Sequence, residues 1–382
     1  MILFFSLDNK LINCSIFLDL AKAFNSVNHN ILLDKLEKYG IRGLPLLLIK
    51  NYLNNREQTT NVNNSKSSKL HINVGVPQGS CLGPLLFLIY INDMHLCTSL
   101  NIRLFADDAC VSFSHENPTF LENKINTEMI KIDNWLKANK LFLNYSKSNF
   151  LIFSQKKQTY HFNISINNNI LKQQHSAKYL GVTIDDKLNW KPHLNNLKTS
   201  LSRSCYAICK LKNYANLRTL KSVYYSLFYS KLKYCISSWG STAPSNLDEI
   251  FRLQKRAIRF VCSERYRTPT NPLFIKMGML KLQEIHKLEI CKLIHNILNN
   301  SLQGSLQLNN LDNIHNHNTR LKSSNNFYIN STRTGLGKQG FNIVAPKFWQ
   351  EIPTEFKSLP FGAFKFKLKN MLLENYSNRI LP

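Results

Sequence analysis

Asp19 closes a short apolar run, Ile16-Phe17-Leu18, and Asp107-Asp108 sit between two β-rich runs within Ile102–Phe113. A carboxylate at the end of a buried strand is costly to leave without a partner, and two adjacent carboxylates repel. A divalent cation removes both problems, and Mg²⁺ takes carboxylate and phosphate oxygens. Two such ions about 4 Å apart can activate a primer 3′-hydroxyl and stabilise a leaving pyrophosphate. The parts required are one Asp from one strand, an Asp from a neighbouring hairpin, and a basic groove facing them. An Asp-Asp pair by itself is ordinary turn chemistry. Order, spacing and flanks carry the reading.

The elements that must position these residues follow from the apolar pattern. Ile31, Leu32, Leu36 and Tyr39 recur at helical spacing, with Gly40 as a stop. The loop Gly75-Val76-Pro77-Gln78-Gly79-Ser80 leads into a helix over about Leu82–His95. Leu121, Ile125, Met129, Ile132, Trp135 and Leu136 mark an amphipathic helix, and two hairpin strands meet at Asn167-Asn168-Asn169. This mixture predicts an α+β fold over residues 1–190, with helices gathered on a small antiparallel sheet. Residues 191–300 read as successive helices. They hold 19 Lys+Arg against 5 Asp+Glu, a net +14 of the chain's +26. Lys255, Arg256 and Arg259 lie on consecutive turns there, with Lys210 and Lys212 nearby. Tyr206, Tyr214, Tyr224, Tyr225 and Tyr229 interleave with these charges and read as helix-packing residues. An Asn-rich stretch, 301–331, reads as a linker, and 332–382 as a compact C-terminal segment.

Composition bounds the function. The 382 residues are 43% hydrophobic, enough for a core, and 13 Gly with 12 Pro exclude collagen-like and low-complexity chains. A charge of +26 and a pI near 9.7 point to a polyanionic partner, nucleic acid before membrane. The longest apolar run, Leu85–Ile91, is far short of the roughly 20 residues of a spanning helix. Met1–Leu7 lacks a basic flank and is closed by Asp8, which argues against a signal peptide. The nine cysteines show no CxxC spacing and read as reduced, intracellular thiols.

The residues also carry a resemblance. Phe17-Leu18-Asp19-Leu20-Ala21-Lys22-Ala23-Phe24-Asn25-Ser26-Val27-Asn28-His29 resembles motif A of the reverse transcriptases of non-LTR (LINE-type, jockey-like) retrotransposons. Gly75 to Phe87 resembles their motif B, and Phe105-Ala106-Asp107-Asp108 their motif C. Leu143-Asn144-Tyr145-Ser146-Lys147-Ser148 is similar to motif D, and Tyr179-Leu180-Gly181-Val182 to the motif that closes the palm. Thr332-Arg333-Thr334-Gly335 through Ile352-Pro353 looks like the C-terminal segment of these elements.

The resemblance implies a right-hand polymerase palm, then a basic helical thumb that grips template and primer by their phosphates, with most of the fingers missing. It implies RNA-directed DNA polymerisation: a DNA primer is extended with dNTPs on an RNA template, through two Mg²⁺ ions or Mn²⁺ in their place. Asp19, Asp107 and Asp108 would be the catalytic, metal-binding triad. The Leu20 carbonyl would add an oxygen, and Phe24 would be the gate that excludes a ribose 2′-hydroxyl. Gln78 and Gly79 would let backbone approach the nucleotide, and Lys147 would face the leaving pyrophosphate. Lys210, Lys212, Lys255, Arg256 and Arg259 would contact the RNA–DNA hybrid. Family members usually carry Asp where this chain has Asn25. The fingers segments that hold the triphosphate precede motif A in the family, so the chain is expected to be N-terminally truncated. The alternatives are a catalytically inactive truncated remnant that binds hybrid but extends primers poorly, or a domesticated nucleic-acid-binding protein. Priming on chromosomal DNA implies the nucleus, and no membrane partner is expected.

Overall fold

The computed structural model describes residues 2–156, 159–299, 308 and 326–377, so most of the linker read over 301–331 lies outside the described residues. The main elements in chain order are α1 (Ile2–Asp8), β1 (Ile12–Asp19), α2 (His29–Lys38), α3 (Leu44–Leu53), α4 (Leu82–Ile91), β2 (Asn101–Phe105), β3 (Asp108–His115), α5 (Pro118–Ala138), β4 (Asn149–Phe153) and β5 (Lys172–Gln173). Then follow α6 (Lys191–Leu211), α7 (Leu217–Val223), α8 (Pro244–Val261), α9 (Thr270–Met277), α10 (Leu282–Leu298), α11 (Phe341–Gln350) and α12 (Phe361–Ser377). They divide into a sheet unit, residues 10–181, and a helical unit made of residues 1–9 and 182–382.

In the sheet unit the strand order is β5-β4-β1-β3-β2, antiparallel except for the β5–β4 pair. β1 is central and buried along its length up to Asp19. Side chains alternate between faces of a strand, so the register sorts the residues. Ile12, Cys14, Ile16 and Leu18 join one core with Ala109, Val111, Phe150 and Ile152. The apolar stripe of α5, Leu121-Ile125-Met129-Ile132-Leu136, packs into that same core. Asn13, Ser15, Phe17 and Asp19 face the other way. There Asn13 Nδ2 donates to Ser114 Oγ at 2.7 Å and the Ser15 hydroxyl to Asn13 Oδ1 at 2.8 Å, so the buried polar groups are satisfied.

Helix ends follow local chemistry. The Asn28 side chain caps α2 by accepting from the Ile31 N–H, and the Asn117 side chain caps α5 by accepting from Phe120. The helix read over Leu82–His95 is shorter: α4 ends at Ile91 and passes into 3-10 turns over Asn92–Cys97. The Tyr90 carbonyl, which would continue the ladder, is engaged by Lys35 Nζ at 2.7 Å, and Lys35 also pairs with Asp93.

One buried acid braces α5. The Glu128 carboxylate takes hydrogen bonds from Lys131 (2.7 Å), Ser99 N–H (2.9 Å), Thr98 hydroxyl (2.7 Å) and Lys124 (3.0 Å). Burial alone would push its pKa up, but these donors outweigh it and hold the group well below the usual carboxylate range. Glu128→Ala is expected to cost about 2 kcal/mol in a urea melt near pH 7, because it orphans the Ser99 and Thr98 donors. A depressed folded pKa stabilises above the unfolded value near 4.3 and loses its effect as pH falls further. The wild-type advantage should therefore shrink toward about pH 3.

The helical unit has one core, with Trp239, Trp349, Tyr224, Phe228, Phe274 and Phe364 fully buried. The segments 191–300 and 332–382, read apart in the sequence, share it: Ile290 and Ile294 of α10 join Trp349 of α11 and Phe364 of α12. Gln254 is buried and satisfied, donating to Tyr224 Oη and the Leu280 carbonyl and accepting from Leu282 N–H. The π-helical stretch Tyr224–Tyr229 turns Tyr224 and Phe228 inward. α1 belongs to this unit. Asp8 Oδ1 accepts from the N–H groups of Arg333 and Thr334, both at 3.1 Å, and from the Thr334 hydroxyl at 2.8 Å. Among the described residues no helix is long and apolar enough to cross a membrane.

Candidate active site

The site lies where β1 ends and β3 begins. In the antiparallel register Asp19 stands directly opposite Asp108, and β2 and β3 are joined by the two-residue turn Ala106-Asp107, closed by the pair Phe105–Asp108. Ala106 holds φ at 50°, a conformation that usually selects glycine. The register thus sets Asp108 across from Asp19, while Asp107 sits in the turn. Burial, then the charges of Asp107 and Asp19, push the Asp108 carboxyl above its ordinary range. Lys147 Nζ is 3.8 Å from Asp19 Oδ2, with both side chains substantially in water, a geometry that contributes little by itself.

The segment that carries Lys147 is tied to the end of β1. Ala21 N–H donates to the Phe142 carbonyl and Asn144 N–H to the Asp19 carbonyl, both at 2.8 Å. The Asp19 N–H donates to Ser148 Oγ at 3.1 Å. Leu20 bridges Leu143 and is buried. Ser148 is a positioning residue that the spacing of motif D contains but does not single out. Behind Asp19 on the same face of β1, Phe17 packs on Tyr179, ring centroids 5.3 Å apart. Burial, Cys110 and Asp108 push the Tyr179 phenol up to about 12.

The loop resembling motif B is fastened to the turn after Asp19. Val76 N–H donates to the Phe24 carbonyl (2.8 Å) and Gly75 N–H to the Val27 carbonyl (2.7 Å). Gln78 Nε2 donates to Asn25 Oδ1 at 3.1 Å, and the half-buried Phe24 ring stacks on Phe87 at 4.6 Å. Asn25 therefore uses the shape it shares with Asp to hold Gln78. Gly79 is exposed, at φ 82°, with open space where a Cβ would stand. Gly75 differs: its φ is 87° and a Cβ would lie 2.9 Å from the Asn25 Cα. Gly75→Ala is expected to destabilise the sheet unit by about 3 kcal/mol, read as a fall in melting temperature, through strain and overpacking together.

The donor set suits a hard divalent cation, since carboxylates only accept and Asp108 already bears the repulsion that a cation would relieve. Among the described residues, no three His, Cys, Asp or Glu side chains are gathered into a metal-holding group. The structure brings Asp19, Asp108 and Lys147 together with Asp107 in the adjoining turn, and links Phe24 with Gln78 through Asn25. Lys210, Lys212, Lys255, Arg256 and Arg259 belong to the helical unit. There Tyr224 is buried and Tyr225 and Tyr229 are half-buried, as packing residues should be. Tyr206 and Tyr214 are exposed instead, because they lie on the side of α6 and its following turn that faces away from the core.

Residues 6–184 match the family described as reverse transcriptase (RNA-dependent DNA polymerase). The probable RNA-directed DNA polymerase from transposon X-element of Drosophila melanogaster is 28% identical over 283 residues, 72% of this chain and 31% of that protein. The RNA-directed DNA polymerase from mobile element jockey of Drosophila melanogaster is 27% identical over 266 residues, 66% of this chain and 29% of that protein. The chain spans about a third of the length of these curated relatives. A solved structure of telomerase from Candida albicans is similar at a TM-score of 0.37 and 11% identity, over 70% of this chain and 50% of that one, a likeness too remote to bear on fold. The likeness is thus to reverse transcriptases over residues 6–184, and over about two thirds of the chain to RNA-directed DNA polymerases of mobile elements such as jockey.

Proposed function

We propose that the sheet unit is the palm of an RNA-directed DNA polymerase that extends a DNA primer on an RNA template, and that residues 191–300 serve as its thumb. The observation that carries this reading is the pairing of Asp19 with Asp108 at one end of the β1–β3 ladder, with Asp107 in the turn beside them. Asp19, Asp107 and Asp108 hold divalent ions, Mg²⁺ or Mn²⁺. When bound, these ions supply Lewis acidity that favours the attacking 3′-alkoxide and offsets charge on the leaving pyrophosphate. The protein's own groups do the rest. Phe24, braced by Phe87, presents a ring edge that leaves no room for a 2′-hydroxyl. Gln78 and Gly79 offer amide and open backbone to the incoming dNTP, and the Leu20 carbonyl an extra oxygen. Lys147 brings positive charge beside Asp19 where the leaving phosphates gather. Lys210, Lys212, Lys255, Arg256 and Arg259 hold the hybrid by its phosphates, so binding falls steeply with salt. Work on chromosomal DNA places the protein in the nucleus.

The test is primer extension on poly(rA)/oligo(dT) with dTTP. Extension in Mg²⁺ or Mn²⁺ that EDTA abolishes supports the reading. A second reading, a nucleic-acid-binding protein without catalysis, is favoured by the absence of a gathered three-ligand group among the described residues. Tight hybrid binding with no extension in either metal would select it.

A further inference from the structure

The cations of the helical unit are seated on aromatic rings. Lys210 Nζ lies 5.4 Å from the ring centroid of Tyr206, one turn earlier on α6. Lys212 Nζ and the Arg256 guanidinium lie 5.7 and 5.4 Å from the Phe260 ring, which joins the end of α6 to α8. Lys255 Nζ is 4.4 Å from the Phe251 ring. The Arg259 guanidinium is 5.8 Å from the Tyr266 ring and is anchored by Nε donating to the Thr268 carbonyl at 2.8 Å. Glu264 is the acidic neighbour there, and it accepts from the Thr268 hydroxyl at 3.3 Å. Asp248 and Glu249 stand at the far, N-terminal end of α8.

Three of the rings in and beside this group are open to water: Tyr206 is 65% exposed, Tyr214 90% and Tyr266 80%. A ring left this exposed adds almost nothing to the core. Phosphate contact alone explains the cations but not the rings. A duplex keeps its base faces stacked inside and presents phosphates, whereas an unpaired strand offers base faces as well. A ring beside a cation satisfies both, stacking a base while the charge meets the adjoining phosphate.

We propose that this face of α6 and α8 is a platform for single-stranded nucleic acid, on which Tyr206, Tyr214 and Tyr266 stack unpaired bases between the phosphate contacts of the basic residues. The proposal rests on the reading of the basic residues as a nucleic-acid surface that holds phosphates of hybrid and single strand alike, and adds ring contacts that only an unpaired strand can use. It makes the exposed tyrosines specific for strand state, while the charges are indifferent to it.

Fluorescence anisotropy of the full chain tests it, with labelled oligo(dT) and a hairpin duplex of equal phosphate count. The wild type should bind the single strand more tightly. The double substitution Tyr206→Ala/Tyr266→Ala should weaken single-strand binding by about 10- to 100-fold, with duplex affinity and the salt slope unchanged. The corresponding double Phe variant should bind as wild type, and circular dichroism should show all variants folded. Lys255→Glu/Arg256→Glu should weaken both ligands and flatten the salt slope. If the Ala variant binds oligo(dT) as wild type, or loses both ligands equally, the platform is overturned while the basic surface stands. If the charge reversal changes neither ligand, the basic surface falls and the platform with it.

Discussion

Asp107→Ala is expected to lower primer extension by about a thousandfold or more and to change hybrid affinity less than about twofold. The size follows from several kcal/mol of charge stabilisation lost from the transition state at about 1.4 kcal/mol per decade of rate. The second half follows from where the residue sits: Asp107 is in the β2–β3 turn of the sheet unit, while the cations proposed to grip the hybrid are in the helical unit. Asp19→Asn and Asp108→Asn should behave alike, because the two residues stand directly opposite each other in the strand pair and each would give up one of the oxygens proposed to hold the same ions. Extension by Asp107→Ala at the wild-type rate would remove Asp107 from the chemistry and leave the polymerase reading without its turn residue.

The helical unit should lose on the order of 3 kcal/mol of stability between about pH 6.5 and pH 4. His286 is 5% exposed, and burial lowers its pKa to about 4. Burial lowers that of His193 as well. Both are held neutral: His286 Nε2 has the Ser241 hydroxyl 3.4 Å away, and His193 Nε2 is buried with no partner. A depressed histidine pKa means that the unfolded chain binds a proton at a pH where the folded chain does not. Stability is therefore complete above the unfolded value near 6.5 and drains away as pH falls toward the folded value. Urea melts followed by tryptophan fluorescence would check it, since Trp239 and Trp349 lie in this core. His286→Phe should flatten much of the slope. A pH-independent midpoint over that range would refute the assignment. Gly240 sets the limit on repair at this spot, because a Cβ there would lie 2.6 Å from the His286 ring.

The strand ending at Asp19 is legible because a short apolar run broken by a carboxylate has few other readings, and α5 is legible because five apolar residues fall on one helical stripe. The register is not. Which of Asp107 and Asp108 stands opposite Asp19 depends on the register of β1 against β3, a pairing between segments far apart in sequence that spacing does not set. Spacing likewise cannot separate Tyr206 from Tyr224, since both recur among apolar residues on a helix; only the side on which α8 packs decides. The union of 191–300 with α11 and α12 is hidden for the same reason, because an apolar face does not name the face that will cover it. The Asp19–Ser148 bond spans 129 residues and leaves no local signature.

The helix Ile2–Asp8 has one consequence for biogenesis. Its carboxylate is taken by Arg333 and Thr334, so an element made before the sheet unit waits for a segment made well after that unit before it finds its partners. Residues 10–181 can meanwhile finish on their own, as an insertion tied off at both ends. Nascent chains arrested near residue 200 should already protect the inner strands from protease, yet leave residues 2–8 cleavable.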